Sequence, residues 1–277
     1  MITELMTFRT PDGVALDGVW YRPEGGARAV TAVLLVHGKA RNFYTGPSRF
    51  LAPHIVARGF ATLAINRRGH DVIYAQPGHR EAGGAAWEVF SDSQQDILGA
   101  VNWLAGQGYP RVALVGHSFG GVACAYFTAE HPDRVPAMAL CSAAAGGPAY
   151  LEIVSRQGWL AGEGLPALLE RAQELRAAGR GEELLHAPRW WWAISARSAL
   201  ELNVPSLVEA AGRTRCPILA IRGSLEPVDA YPIERVRDAA DGRAVTAIVG
   251  GDHYYAGHEK EAGEVVADWL ATTLGRA

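Results

Sequence analysis

Five consecutive residues, Gly116-His117-Ser118-Phe119-Gly120, carry the sharpest chemical signal in the chain. They follow directly on the apolar run 111–115 and lead directly into an apolar stretch that reads as a helix. A serine at a tight strand-to-helix turn has its hydroxyl pushed out of the sheet, and small residues at 116 and 120 let the strained turn pack. Ser118 is therefore the expected nucleophile; a plain glycine-rich turn is the bland alternative. A serine hydroxyl is a weak nucleophile at its free pKa, so it needs a base within hydrogen-bond reach and a third group to orient that base. Acyl transfer also needs fixed donors for an oxyanion, and the backbone N–H of Phe119, at the start of the helix, suits that task.

Other chemistries find little support. The nine histidines include no His-Glu-x-x-His, and no cysteine pair has zinc spacing, so no metal is expected. No Gly-x-x-x-x-Gly-Lys-Ser/Thr loop is present, which excludes nucleotide hydrolysis through a P-loop. The chemistry expected of Ser118 needs no cofactor.

The elements that must hold these residues come from hydrophobic patterning. Residues 4–9 and 14–21, separated by Pro11-Asp12-Gly13, predict an N-terminal hairpin. The run 29–36 is apolar without alternation, as expected of a strand covered on both faces. Helix and strand then alternate: helix 47–58, strand 60–65, helix 92–105 capped by Ser91 or Asp92, strand 111–115, helix 119–131 and strand 135–141. After a segment at 146–213 that reads as helical throughout, alternation resumes with strand 217–222, helix 232–240, strand 244–249 and helix 258–274. Such alternation predicts an α/β fold with a mostly parallel central sheet of about eight strands and helices on both faces. The expected body is 1–145 and 214–277, with 146–213 as a helical cap.

In this arrangement the chain resembles the α/β-hydrolase superfamily, whose functional residues run in the order Ser, acid, His. The resemblance spans nearly the whole sequence: the hairpin, His37-Gly38 after the third strand, the turn at Ser118, the helical insertion and a C-terminal histidine loop. It implies His253, in Gly250-Gly251-Asp252-His253, as the base, with His258 a rival placed at the start of the last helix. It implies an acid in the turn after strand 217–222, where Glu226 occupies the matching position; Asp is commoner there, and Asp229 stays open as the alternative. A second oxyanion donor is expected in the loop after His37-Gly38, at the N–H of Lys39, while His37 itself reads as structural. Asn66-Arg67-Arg68-Gly69-His70-Asp71 is similar to the family's Asp-x-Arg-Gly-His-Gly, with Asn in place of the first Asp, and implies a loop folded beneath the site.

An insertion between strands 135–141 and 217–222 would roof the Ser118 pocket, because open α/β sheets bind ligands beyond the carboxyl ends of their strands. Trp159, Trp190, Trp191, Trp192 and Leu160 lie in it and either line the pocket or glue the insertion to the body. Three consecutive tryptophans on a helix would point about 100° apart, so at most two could face one cavity. Tyr44 and Phe43 lie just beyond the oxyanion loop, beside Arg41, and are further candidates for substrate contact.

Composition bounds the rest. The chain has 277 residues, 49% of them hydrophobic and 20% charged, with 26 basic and 29 acidic residues. It is long enough to bury a large core without cross-links. The slight acidity and scattered basic residues, of which Arg67-Arg68 is the densest cluster, argue against a nucleic-acid partner. Cys124, Cys141 and Cys216 read as buried free thiols of a reducing compartment. No apolar run is long enough to span a bilayer and no secretory leader is recognisable, so a cytoplasmic protein with a small-molecule substrate and no membrane partner is expected, with a homodimer left open. The expected function is a serine hydrolase acting on a carboxylic ester with a medium-sized apolar or aromatic group. A thioester, amide or carbon–carbon bond, acyl transfer, and a non-catalytic binding protein on the same scaffold are the alternatives.

Overall fold

Strands covered on both faces need apolar side chains at every position, and Ala32–Val36 (β3) shows how this is met. Leu34 and Val36 enter the core on one side of the sheet, Val33 and Leu35 the core on the other. The computed structural model describes residues 1–26, 30–75, 82–148, 150–188, 192–202 and 204–275. Ala29, the expected start of β3, lies outside them.

The chain opens with the antiparallel pair β1 (Ile2–Arg9) and β2 (Ala15–Arg22), turned at Gly13 with φ +90°, a conformation that suits glycine. After β3 come α1 (Gly46–Ala57), β4 (Thr62–Ile65), the short pair β5 (Tyr74–Ala75) and β6 (Ala82–Gly83), and α2 (Phe90–Gly106). Then follow β7 (Val112–His117), α3 (Phe119–Glu130) and β8 (Met138–Cys141). The main sheet is completed by β11 (Ile218–Gly223) and β12 (Ala244–Val249), with α8 (Ile233–Ala239) between them and α9 (Glu259–Leu274) at the end. Its eight strands run in the order β1-β2-β4-β3-β7-β8-β11-β12, parallel from β4 to β12. Helices α1 and α9 cover one face through Leu51, Ile55, Val266 and Leu270; α2, α3 and α8 cover the other through Ile97, Phe127 and Val236. This is the α/β architecture expected from the alternation.

Two expectations change. Helix α2 starts at Phe90 with Val89 at its N-cap and no side-chain cap, so neither Ser91 nor Asp92 caps it. Asp92 lies inside the first turn, where a carboxylate still favours the helix dipole. The insertion is not helical throughout. Between α4 (Tyr150–Arg156), α5 (Leu165–Ala177), α6 (Ala196–Leu200) and α7 (Leu207–Arg213) it contains an antiparallel pair, β9 (Leu184–Ala187) with β10 (Trp192–Ser195). Short apolar runs read equally well as helix or strand, and here the aromatic and β-branched Trp192 and Ile194 favour the strand. Leu207, Ala210 and Ala211 of α7 pack in the core of the sheet's second face, so the body resumes before residue 214. The remainder has its own core of Leu160, Leu168, Leu175, Ile194 and Val204, into which Phe119 and Val122 of α3 project.

Strand register brings distant residues to one edge. His117 pairs with Cys141, Cys141 with Ile221, and Gly223 with Val249, so the loops after β7, β8, β11 and β12 leave the sheet side by side. The turn after β7 is tight: a Cβ on Gly120 would lie 2.3 Å from the carbonyl oxygen of Val36 and 2.5 Å from that of His37. Gly120→Ala is expected to cost at least about 2 kcal/mol of stability, since backbone must move to admit the methyl group. Gly106, with nothing near its Cβ position, is the contrast: Gly106→Ala should gain up to about 1 kcal/mol. Urea midpoints of the two variants check both values.

Candidate active site

Ser118 sits between β7 and α3 with φ 56° and ψ −124°, a left-handed conformation that a residue with a Cβ enters only under strain. The turn is over-determined by its neighbours: Ser118 donates its N–H to the carbonyl of Cys141 at 3.0 Å, and its own carbonyl accepts from Gly121 and Ala144. Only 8% of the residue is exposed. Gly38 abuts it so closely that a Cβ there would lie 2.8 Å from the Ser118 Cβ. The backbone after β3 can therefore approach the hydroxyl only because residue 38 has no side chain.

His253 stands in the loop after β12. Its Nδ1–H donates to Glu226 Oε1 at 2.6 Å, which leaves Nε2 unprotonated in the neutral ring. Glu226 follows β11 and is buried; its other oxygen, Oε2, accepts from the Gly223 N–H at 2.7 Å and from the Ser142 hydroxyl at 2.5 Å. Tyr255 in turn donates its hydroxyl to Ser142 Oγ at 2.8 Å, a direction forced by the carboxylate, which can only accept. Every link of the chain Tyr255, Ser142, Glu226, His253 is thus satisfied without a proton out of place. Asp229 is elsewhere, exposed and paired with Arg156 at 2.7 Å. Asp252 caps its own turn by accepting from the N–H groups of Tyr254 and Ala256. His258 is the N-cap residue of α9 and pairs with Glu261.

Ser118, Phe119, Lys39 and His253 line one pocket of about 730 Å³, with Trp159 and Tyr231 among its walls. Among the described residues no hydrogen bond joins Ser118 Oγ to the imidazole; the two groups share the pocket wall. The imidazole is packed among rings: His117 at 4.5 Å between centroids, Tyr231 at 4.9 Å and Tyr254 at 5.1 Å. His117 Nε2–H also donates to the His253 carbonyl at 2.8 Å, tying the residue before the serine to the loop that carries the imidazole.

Of the expected substrate contacts, Trp159 lines the pocket. Tyr44 does not: it is 50% exposed and turned toward Asp71 and Phe43, because the helix start at Gly46 carries the chain away from Ser118. Trp190 and Trp191 lie outside the described residues, as does the side chain of Trp192. Leu160 is buried in the insertion's own core. Sequence reading missed Ser142, Tyr231, Tyr254, Tyr255 and Gln157, which also lines the pocket. Only strand register could have singled out Ser142, one residue past Cys141.

Beneath the loop at residues 38–41 lies a buried ion cluster. Arg67, 1% exposed, pairs with Glu88, whose Oε2 is 3.6 Å from Lys39 Nζ. Burial, offset in part by Glu88, holds the Lys39 ammonium below the usual lysine range. His37 donates Nδ1–H to the Gly38 carbonyl at 2.6 Å and accepts the Arg67 N–H at Nε2, which fixes its tautomer. Arg68 adds a second anchor through the fully buried Asp96 and through Asp12. The Asn66–Asp71 segment is thus built into the floor.

These geometries can be set beside known proteins. A sequence profile described as the alpha/beta hydrolase fold matches residues 31–208. The chain belongs to the α/β-hydrolase fold family. The matched region includes Ser118 and the loop at Lys39 but ends before Glu226 and His253. No curated protein matches in sequence. Among solved structures, Est1E from Butyrivibrio proteoclasticus with bound ferulic acid is similar over 97% of this chain and 99% of its own, at 16% identity and a TM-score of 0.74. The esterase domain of a Rhodothermus marinus protein is similar over 99% and 100%, at 19% identity and TM-score 0.65. A thermostable carboxyl esterase from Bacillus coagulans is similar over 99% and 100%, at 16% and 0.69. At such identities the likeness is one of fold. No described helix of this α/β-hydrolase is long and apolar enough to cross a membrane.

Two buried imidazoles and one buried carboxylate generate predictions. Desolvation holds His37 and His117 well below their ordinary value of 6.5, so below that pH the unfolded chain takes up protons first. Stability should be fully present above pH 6.5 and fall as the pH drops, with a limiting slope from the pair of about 2.7 kcal/mol per pH unit; urea midpoints between pH 7.5 and 5.5, roughly the window set by the ordinary histidine value, measure it. Glu88→Gln, which leaves two buried cations without their carboxylate, should cost about 3–5 kcal/mol in the same assay.

Proposed function

We propose that this α/β-hydrolase is a serine esterase that cleaves carboxylic esters through an acyl-enzyme, without a cofactor. The observation that carries the reading is the hydrogen bond from His253 to the buried, fully satisfied Glu226 carboxylate, in a pocket that Ser118 lines. A neutral imidazole held in this tautomer presents Nε2 as a base toward the pocket. Ser118 Oγ attacks the ester carbonyl carbon while its proton passes to Nε2, and Glu226 stabilises the imidazolium. The tetrahedral oxyanion accepts from the N–H groups of Phe119 and Lys39; the close approach of Gly38 to Ser118 supports that placement. Collapse breaks the ester C–O bond, Nε2–H protonates the leaving alcohol, and water repeats the sequence to release the acid and free Ser118.

The pocket suits a medium-sized substrate, and the rings of Phe119, Trp159, Tyr231 and Tyr254 favour an aromatic or apolar group. The similar fold of Est1E, which holds ferulic acid, is in keeping with an aromatic acyl group. Residues from 146 to about 204 act as its roof.

Intact mass after fluorophosphonate treatment, with ester turnover in parallel, tests the reading. The wild type should gain one adduct, and Ser118→Ala none. Glu226→Gln, which disturbs the tautomer, should lower kcat by about 10⁴-fold. Wild-type turnover in Ser118→Ala would remove Ser118 as nucleophile.

A further inference from the structure

The pocket at Ser118 is electrostatically one-sided. Arg41, Lys39 and two histidines line it, and among the described residues no aspartate or glutamate does. Lys39 answers to Glu88 below the floor, and Glu226 lies behind His253. Arg41 is different. It is exposed to the pocket, and among the described residues no carboxylate pairs with it.

Its guanidinium is nevertheless held in place. Nε–H donates to the Tyr254 hydroxyl at 2.7 Å, and the guanidinium carbon stands over the Tyr254 ring, 5.1 Å from its centroid. The backbone is fixed as well: the Arg41 N–H donates to the Gly38 carbonyl, and its own carbonyl accepts from Asp71. With Nε committed, the two terminal nitrogens make no hydrogen bond to any described residue. That leaves a planar pair of donors of the kind that grips a carboxylate. A solvated surface arginine must lose rotamer freedom to bind an anion, whereas Tyr254 has already restrained this one. The Tyr254 ring is also 5.1 Å from the His253 ring, so the cation lies within about 10 Å of the base.

We infer that Arg41 is a specificity-determining residue and that the substrate is an ester bearing a free carboxylate, bound by the Arg41 guanidinium while Ser118 faces the ester carbonyl. The inference rests on the esterase reading and names its substrate class. The carboxylate can belong to the acyl part or to the alcohol part. Paired probes separate these sources: the mono-p-nitrophenyl ester of glutaric acid against p-nitrophenyl valerate, and the acetate ester of p-hydroxybenzoate against that of p-hydroxybenzamide.

In at least one pair the wild type should favour the anionic member by about tenfold or more in kcat/KM, the gain falling on KM. The pair that shows it identifies the side of the ester that carries the charge. Arg41→Gln should shrink that ratio by about fivefold or more, with Arg41→Lys intermediate because it keeps the charge without the fork. Fluorophosphonate labelling of each variant confirms a working Ser118. A ratio below about ten in both pairs, or one that Arg41→Gln reduces by less than about fivefold, overturns the inference. Turnover of neutral esters alone removes this inference and leaves the esterase reading standing. A wild type that turns over none of the four esters and takes no fluorophosphonate removes both.

Discussion

A buried carboxylate is costly unless every lone pair it exposes finds a donor, and the site depends on that constraint being met at Glu226. One oxygen is given to His253; the other is shared by a backbone N–H and the Ser142 hydroxyl. Since Ser142 leaves β8, Gly223 ends β11 and His253 follows β12, the carboxylate joins the ends of three neighbouring strands. Shifting the register of any one would strand a charge. The same requirement that makes the core acceptable therefore holds the imidazole at the edge of the pocket.

On the opposite side of Ser118 the logic is inverted. There a single carboxylate, Glu88, serves two cations, Arg67 and Lys39, and the cluster retains net positive charge under the 38–41 loop. The backbone carbonyl of Glu88 also accepts from Ser198 in α6, and Ala86 accepts the N–H of Ser195. The 38–41 loop, the Asn66–Asp71 segment and the insertion are thus fastened to one short segment ahead of α2. A positive field beneath the loop that borders the Ser118 pocket is suited to negative charge there.

Much of this was legible in the residues, for local reasons. The alternation of apolar runs carries the α/β architecture because a two-sided sheet must be apolar at every position, as Val33 to Val36 are. The Ser118 turn is readable because its requirements, glycine at 116 and 120, lie within five residues. Glu226 and His253 became candidates only through resemblance in chain order; what brings them within 2.6 Å is strand pairing, which composition does not encode. Ser142 and Tyr255 carry no local mark at all, being ordinary hydroxyls until β8 and β11 are aligned. The β9–β10 pair is hidden because runs of only four residues, three of them apolar, fit either period, and the place of Tyr44 is hidden because nearness in sequence to Lys39 says nothing about which way α1 departs.

The dihedral angles of Ser118 have a wider meaning. A positive φ at a residue with a Cβ costs on the order of 1–3 kcal/mol, and glycine would remove that cost. Selection for heat tolerance alone would drive residue 118 toward glycine, which would yield a sturdier protein without the hydroxyl that the proposed reaction needs. The residue best fitted to this corner is the one with no oxygen to offer, so on the proposed esterase reading a serine here exchanges durability for reactivity.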